Sequence, residues 1–125
     1  MLKIKHFLDT VEPDDGYRIW VEPFGLTRDL VQMCQVSYCM THIAPPLKLW
    51  KWFDRHPGGY EYFRSKYHQC LDVSSFGRGL HSLAMAAAGL ETLTLLHQED
   101  DPEHNSATAL AEYLSELAAW RASEF

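Results

Sequence analysis

The chain lacks the short signatures that mark the commonest nucleotide-binding proteins and hydrolases. Its 125 residues contain no complete GxGxxG, no Walker A motif, no GxSxG and no HExxH. These motifs supply phosphate-binding glycines, nucleophilic serines and zinc-binding histidines, so their absence removes the usual starting points for a catalytic assignment. The sequence therefore predicts no cofactor and leaves open whether the protein is an enzyme.

Basic residues and long apolar runs are also scarce. The 11 Lys and Arg residues are scattered, no two of them are adjacent, and 17 Asp and Glu residues give a net charge of −6. A dedicated nucleic-acid-binding protein would carry a basic stripe, so we expect no nucleic-acid partner. The longest uncharged stretch, residues 30–47, is broken by polar residues and two prolines, so it predicts no membrane span.

Cysteine is limited to Cys34, Cys39 and Cys70, and no CxxC motif occurs. Three cysteines cannot all pair with one another, so free thiols in a reducing compartment are the simplest interpretation. The first six residues alternate charged and apolar side chains, which is typical of a strand and not of a signal peptide. We therefore expect a cytoplasmic protein.

The rest of the composition, 46% hydrophobic and 22% charged, is that of an ordinary globular protein. A chain of this length fits one domain, residues 1–125, whose core buries roughly two thirds of the unfolded surface. Strand-like patterns cover residues 2–6, 17–22 and 90–96, with a weaker one at 35–43, and helical patterns separate them. These patterns predict an α/β fold, a single layered domain with a small, mainly parallel sheet flanked by helices.

The sequence also predicts how the strand at 90–96 is buried and where the helices begin. The strand at 90–96 is expected to be central and buried, with Leu93 and Leu95 on one face and Leu90 and Leu96 on the other. Capping residues mark where helices begin. The expected starts are Thr27, the pair Pro45 and Pro46, Ser74 or Ser75, and Asp101 before Pro102.

Residues 97–106, which read HQEDDPEHNS, are the strongest candidate for a site. They join the clearest strand to the last helix, and open α/β sheets bind ligands at such turns. His104 and Asn105 are expected in the first turn of that helix, where free N–H groups attract an anion and His104 can act as acid or base. The alternative is a local role, since Asp101, Pro102 and Glu103 form a good helix start at which His104 only packs or caps. The acids also weigh against an anion, because Asp100, Asp101 and Glu103 already use the helix dipole.

Glu22 is the second candidate, because it ends the strand at 17–22. A carboxylate at that edge of a sheet can orient a ligand or act as a general base. The alternative is a solvated acid at the end of a strand. Tyr17 and Arg18 belong to the same strand and are further candidates for ligand contact, although an arginine within a strand more often pairs with a neighbouring acid.

A metal site is not predicted. Zinc-binding chemistry is present in His97, Asp100, Asp101 and His104, but their spacing matches no compact ligand motif. Among the aromatic residues of the two middle helices, Trp50 and Tyr62 lie at the margins of the apolar stripes. There they can line a cleft or a subunit contact, although a core position is the more common outcome, and a homo-oligomer is left open.

Three segments of the chain carry a family resemblance. Residues 15–22 read DGYRIWVE and match an aspartate-glycine-tyrosine-arginine strand. The second segment comprises IAPP at 43–46, LWKWF at 49–53, YFR at 62–64 and Tyr67. The third comprises TLTLL at 92–96, EHN at 103–105, AL at 109–110 and YL at 113–114. Together they cover most of the chain, which resembles the YeaO-like family of small bacterial and archaeal proteins of unknown function.

The chain also departs from that family. The family's early strand continues into aspartate-arginine-leucine-tryptophan-proline-arginine-glycine, whereas here the aspartate becomes Glu22 and both arginines are replaced. Arg28 lies one residue past the second of them and is its nearest substitute. After the late strand, His97 stands where the family often has tyrosine, and Asp100 stands where it often has a basic residue.

Two functional hypotheses follow. In the first, the protein binds a small anionic molecule at the strand-end cleft, with polar contacts from Glu22, Arg28, His104 and Asn105 and an aromatic wall. In the second, it is a non-enzymatic protein-interaction module that keeps the family's scaffold and has lost its site. The first hypothesis requires those four side chains to converge on one pocket.

Overall fold

Four short strands form one parallel sheet in the computed structural model, which describes residues 1–73, 77–89 and 91–123. The strands are β1 (Leu2–His6), β2 (Tyr17–Trp20), β3 (Tyr38–Cys39) and β4 (Leu93–His97). The helices are α1 (Arg28–Met33), α2 (Leu47–Arg55), α3 (Tyr60–Val73), α4 (Gly77–Ala88) and α5 (Ser106–Ser123). The α/β fold expected from the sequence is confirmed, and every strand pair described is parallel.

Strand β4 connects β1 to the rest of the sheet. The strand order is β1-β4-β2-β3, so β4 pairs with β1 on one side and with β2 on the other. Leu93 accordingly lies opposite both Leu2 and Tyr17. All five residues of β4 are buried, which confirms a central strand that is covered on both faces. Leu90, which was expected to belong to this strand, lies outside the described residues.

Alternation along the strands divides the core between the two faces of the sheet. Leu93 and Leu95 face the helical side, where they pack with Ile19 beneath α3, α4 and α5. Leu96 faces the other side and packs with Trp20. The predicted division of the leucines is therefore confirmed for the three that are described. The helices contribute Phe63, Tyr67, Leu71, Leu80, Ala84, Leu110 and Leu114 to the helical side.

The face opposite these helices is closed in part by a buried ion cluster around Asp15, which is 1% exposed. The Asp15 carboxylate accepts hydrogen bonds from Lys3 Nζ at 2.7 Å, Arg18 Nη1 at 2.7 Å and Lys5 Nζ at 3.1 Å. Burial raises the pKa of this carboxyl group, but the three cations and a backbone N–H outweigh that effect and hold it well below its ordinary value. The cluster fixes the preceding loop against β1 and β2.

The weak strand expected at 35–43 is reduced to the two residues of β3. Gln35 follows α1 in the left-handed region of φ, at 49°, so the extended backbone cannot begin there. A 3-10 turn at Thr41–Ile43 then ends it. The expected position of this strand is correct, but its length is not.

The start of the last helix also differs from expectation. Thr27 caps α1 as predicted, since its hydroxyl accepts from the Leu30 N–H. Helix α5, however, begins at Ser106 and not near Pro102, because Asn105 is its cap and accepts from the Thr108 N–H at 2.8 Å. Asp101 accepts from the Glu103 N–H inside a separate turn. The prediction that Asp101 caps this helix is therefore wrong.

The three cysteines are all free thiols, as expected from their number. Cys34 is buried, whereas Cys39 and Cys70 are exposed. Within residues 1–73, 77–89 and 91–123, no helix is both long enough and apolar enough to cross a bilayer.

Replacing Leu93 with Ala should lower the free energy of unfolding by about 2–5 kcal/mol, because it opens a cavity under the helices. Leu93 is only 3% exposed, whereas Leu47 is 45% exposed, so Leu47→Ala is a matched control with an expected effect within about 0.5 kcal/mol. Urea denaturation measures both values. Equal costs for the two variants would contradict the central position of β4.

Candidate functional site

A cleft of about 750 Å³ opens at the carboxyl ends of β1 and β4. Its walls come from the residues after β1, from the second half of α2 and the turn that follows it, and from the stretch between β4 and α5. Parallel α/β sheets bind their ligands at this edge, and the volume is within the range of small-molecule sites. The stretch 97–106 therefore borders a cavity of suitable size.

The lining of this strand-end cleft combines acids with aromatic rings. The acids are Asp54, Glu99, Asp100 and Asp101, and the rings belong to His6, Phe7, Trp50, Phe53 and His104. Among the described residues that line the cleft there is no Lys or Arg. The electrostatic potential of the cleft is therefore negative, and its walls are largely apolar.

A pair of carboxyl groups, Glu22 and Glu99, closes the cleft on the side of the sheet. The Gln98 N–H lies 3.0 Å from Glu22 Oε2 and 3.1 Å from Glu99 Oε2, so the two groups adjoin. Glu22 is fully buried, whereas Glu99 is half-buried and lines the cleft. Glu99 Oε1 also accepts from the backbone N–H and the hydroxyl of Ser106, at 2.9 and 2.8 Å. Glu99 thereby occupies the amino end of α5.

The pKa values of the two carboxyl groups are shifted in opposite directions. Burial and the neighbouring Glu99 raise the pKa of Glu22 far above its ordinary value. Burial also acts on Glu99, but the hydrogen bonds from Glu22 and Ser106 outweigh it and lower the pKa of Glu99. Two adjacent carboxylates repel each other, so this environment favours the neutral form of Glu22 and the charged form of Glu99.

His104 and Asn105 lie before α5, not in its first turn as predicted. The His104 ring lines the cleft, lies 4.7 Å from the Tyr60 ring and contacts Asp101 Oδ2 through Nδ1 at 3.1 Å. Asn105 is fully buried, and its side chain donates to the Asp101 carbonyl while its oxygen caps α5. Asn105 therefore has a structural role, and His104 is the member of this pair that a ligand can contact.

Three other candidates lie away from the cleft. Tyr17 and Arg18 are at the amino end of β2, opposite the cleft edge, where Tyr17 contacts Tyr38 and Arg18 belongs to the ion cluster. Arg28 is exposed at the start of α1 and does not line the cleft. Of the four side chains that were expected to converge, only His104 lines the cleft: Glu22 lies behind it, Asn105 is buried as the cap of α5, and Arg28 does not reach it.

Glu99 could not be singled out from the sequence, because its proximity to Glu22 depends on how β2 and β4 pair. Trp20 of β2 pairs in register with Leu96 of β4, so Glu22 and Glu99 follow paired positions by two and three residues. Acids just beyond the ends of two neighbouring parallel strands should meet at one edge. The register, however, was not available from the sequence alone.

The side chains considered for a metal site, His97, Asp100, Asp101 and His104, do not form a metal-binding group among the described residues. The described residues contain no group of three or more His, Cys, Asp or Glu side chains that could hold a metal ion. His97 is buried, and burial lowers the pKa of its imidazole.

These features define an α/β fold with an acidic, aromatic-lined cleft at its strand-end edge. A family model described as the inactive DUF488-N3 subclade, DUF488-N3i, matches residues 1–124. The chain belongs to this family, a domain of unknown function. Comparison with curated proteins gave no match, and comparison with solved structures gave none.

The carboxyl pair makes a prediction that distinguishes its two members. Glu22→Gln should be tolerated, because a neutral amide replaces the protonated acid and can still accept from the Gln98 N–H. Glu99→Gln should lower the free energy of unfolding by about 1–3 kcal/mol, because its amide NH₂ must face a donor in either orientation. Urea denaturation of both variants at neutral pH measures the difference, and equal costs would contradict the opposite pKa shifts of the two groups.

The stability of the Glu22→Gln variant relative to the parent should change with pH, and the raised pKa of Glu22 fixes the direction of that change. A group whose pKa is raised on folding stabilises the protein below its ordinary pKa, here 4.5, and that contribution is lost as the pH rises toward the folded value. Between about pH 5 and about pH 8, Glu22→Gln should therefore gain stability relative to the parent, by at most about 1.4 kcal/mol per pH unit. A stability difference that does not change with pH would show that Glu22 is ionised.

Proposed function

We propose that this chain binds a small molecule in the strand-end cleft and catalyses no reaction on it. The observation that best supports the proposal is the cleft itself, a cavity of about 750 Å³ with aromatic walls at the edge where parallel sheets bind ligands. Within the matched family, we further propose that the chain is a divergent YeaO-like protein, on the basis of the sequence motifs described above.

The environment of each candidate catalytic group supports binding without chemistry. A general acid or base must lie within hydrogen-bond reach of a bound substrate. Glu22 is fully buried, and the hydrogen bonds from Gln98 and Ser106 favour the charged form of Glu99, which makes it a weak base although it keeps its negative charge. His104 is the remaining candidate. Its contact with Asp101 through Nδ1 leaves Nε2 to act as a base, but no Ser, Thr or Cys nucleophile is among the described residues that line the cleft. The description of the family as inactive is in keeping with this arrangement.

The anionic ligand expected from the sequence receives less support from the cleft. An anion would need a cation or free helical N–H groups, and Glu99 already occupies the start of α5. The arginines considered for this role, Arg18 and Arg28, lie elsewhere. We therefore retain small-molecule binding as the proposal and treat the charge of the ligand separately below.

The second candidate function is a non-enzymatic interaction module. It is favoured by an exposed groove between α2 and α3 with a volume of about 610 Å³. Its lining includes Trp52, Tyr62 and Val73, of which Tyr62 is 52% and Val73 is 86% exposed. Apolar side chains exposed in this way are typical of protein contact surfaces.

Amide chemical shifts distinguish the two candidates. A fragment library added to the ¹⁵N-labelled protein should shift residues 98–104 and the Trp50 indole if the cleft binds small molecules. His104→Ala should weaken the affinity of the hits and change the melting temperature little, because the His104 side chain is 48% exposed. His56→Ala is the matched control, since its ring stacks on Trp52 outside the cleft lining.

Two results would overturn small-molecule binding in favour of the module. One is that His104→Ala and His56→Ala bind every hit as well as the parent does. The other is that the shifts are confined to the groove between α2 and α3, together with self-association that is lost in a Tyr62→Ala variant.

A further inference from the structure

Within the described ranges, the acids of the strand-end cleft lack the Lys or Arg partners that several other acids of this protein have, and the one basic side chain in ion-pair contact with them is His104, on Asp101. Asp15 lies among three cations, and Glu112 pairs with Arg64. By contrast, Asp54, Glu99, Asp100 and Asp101 form no ion pair with Lys or Arg among the described residues. Negative charge is therefore left uncompensated in one concave region, where a bound cation would relieve it.

The aromatic walls add a second, independent preference for a cation. Trp50 and Phe53 line the cleft, and the Trp50 ring is held by an edge contact with Phe24 at a centroid distance of 5.0 Å. The face of an indole attracts ammonium and guanidinium groups and also accommodates a flat apolar body. Rings and carboxylates together are the combination that recognises organic cations, whereas acids alone would suit a metal ion.

A metal ion fits this cleft poorly. Hard cations such as Ca²⁺ require about six to eight oxygen ligands around one point. No group of three or more potential ligands converges in the part of the chain that the structure describes. The volume of about 750 Å³ is also that of a molecule with several heavy atoms and not of a single ion.

Glu99 is the acid best placed to hold the charged group. Its carboxylate is oriented by the N–H and hydroxyl of Ser106 and by the Gln98 N–H, while it still lines the cleft. A charge held in a fixed position and partly shielded from water interacts more strongly with a ligand than a mobile surface acid does. Asp54, which is exposed at the end of α2, contributes from the opposite wall.

We infer that the strand-end cleft takes an organic cation, with its ammonium or amidinium group against Glu99 and its flat apolar body against Trp50 and Phe53. This inference rests on the proposed function, since it names the class of ligand for the same cleft. It differs from the sequence expectation in the sign of the ligand charge.

Three probes with the same ring and different charge test the inference, namely benzylammonium, benzyl alcohol and benzoate. Titrations followed by NMR at low ionic strength should give the tightest binding for benzylammonium, at least about tenfold tighter than for benzyl alcohol. Benzoate should bind most weakly. Added salt should weaken benzylammonium and leave benzyl alcohol unchanged, because only the charged contact is screened.

Variants that neutralise one acid at a time show which carboxylate holds the cation. Glu99→Gln should reduce benzylammonium affinity about tenfold and leave benzyl alcohol unchanged. Asp54→Asn, at an exposed position, should act in the same direction and serves where Glu99→Gln lowers stability. Glu116→Gln is the matched control, because this exposed acid lies about 15 Å along α5 from its start and removes the same net charge.

The outcomes separate the two proposals. Benzoate binding as tightly as benzylammonium, or equal effects of Glu99→Gln, Asp54→Asn and Glu116→Gln, would overturn the inference while small-molecule binding stands. Failure of all three probes to shift any residue of the cleft would overturn the inference together with the proposed function.

Discussion

A parallel sheet must be covered on both faces, and this chain places the four helices α2 to α5 on one of them. The other face is closed by α1, by the loop before β2 and by the buried charge of Asp15. A buried carboxylate is costly unless it is paired, so Lys3, Lys5 and Arg18 have to meet it there. The pairing holds the loop on the sheet and commits Arg18 to the fold, away from the cleft.

At the carboxyl edge of the sheet, the acids are not paired with any Lys or Arg that the structure describes. There the protein places two acids side by side and stabilises the charged one with the start of α5, so its own Glu99 takes the place of an external anion. The remaining acids face a cavity with aromatic walls. The Asp15 cluster, at the amino end of β2, is thus neutralised within the protein. The acids at the carboxyl edge keep a negative charge that a ligand can neutralise.

Local patterns sufficed to predict β4 and α1, since alternation and the Thr27 cap depend on neighbouring residues alone. The start of α5 was misplaced because Asp101 and Asn105 are both good caps, and only tertiary packing decides between them. The carboxyl pair was missed because it depends on the register between β2 and β4, which lie far apart in the chain. Arg28 illustrates the same limit, since a position after a strand does not tell which way the chain turns.

The position of β4 also bears on how the chain is made. The strands synthesised first, β1 and β2, are not neighbours in the sheet, and each pairs with β4, the last strand in chain order. On the ribosome, β1 therefore has no strand partner until residues 93–97 have emerged, and loop closure over that span is slow. A chain that ends before β4 therefore keeps an unpaired strand edge on β1 and on β2, and exposed edges of this kind promote aggregation.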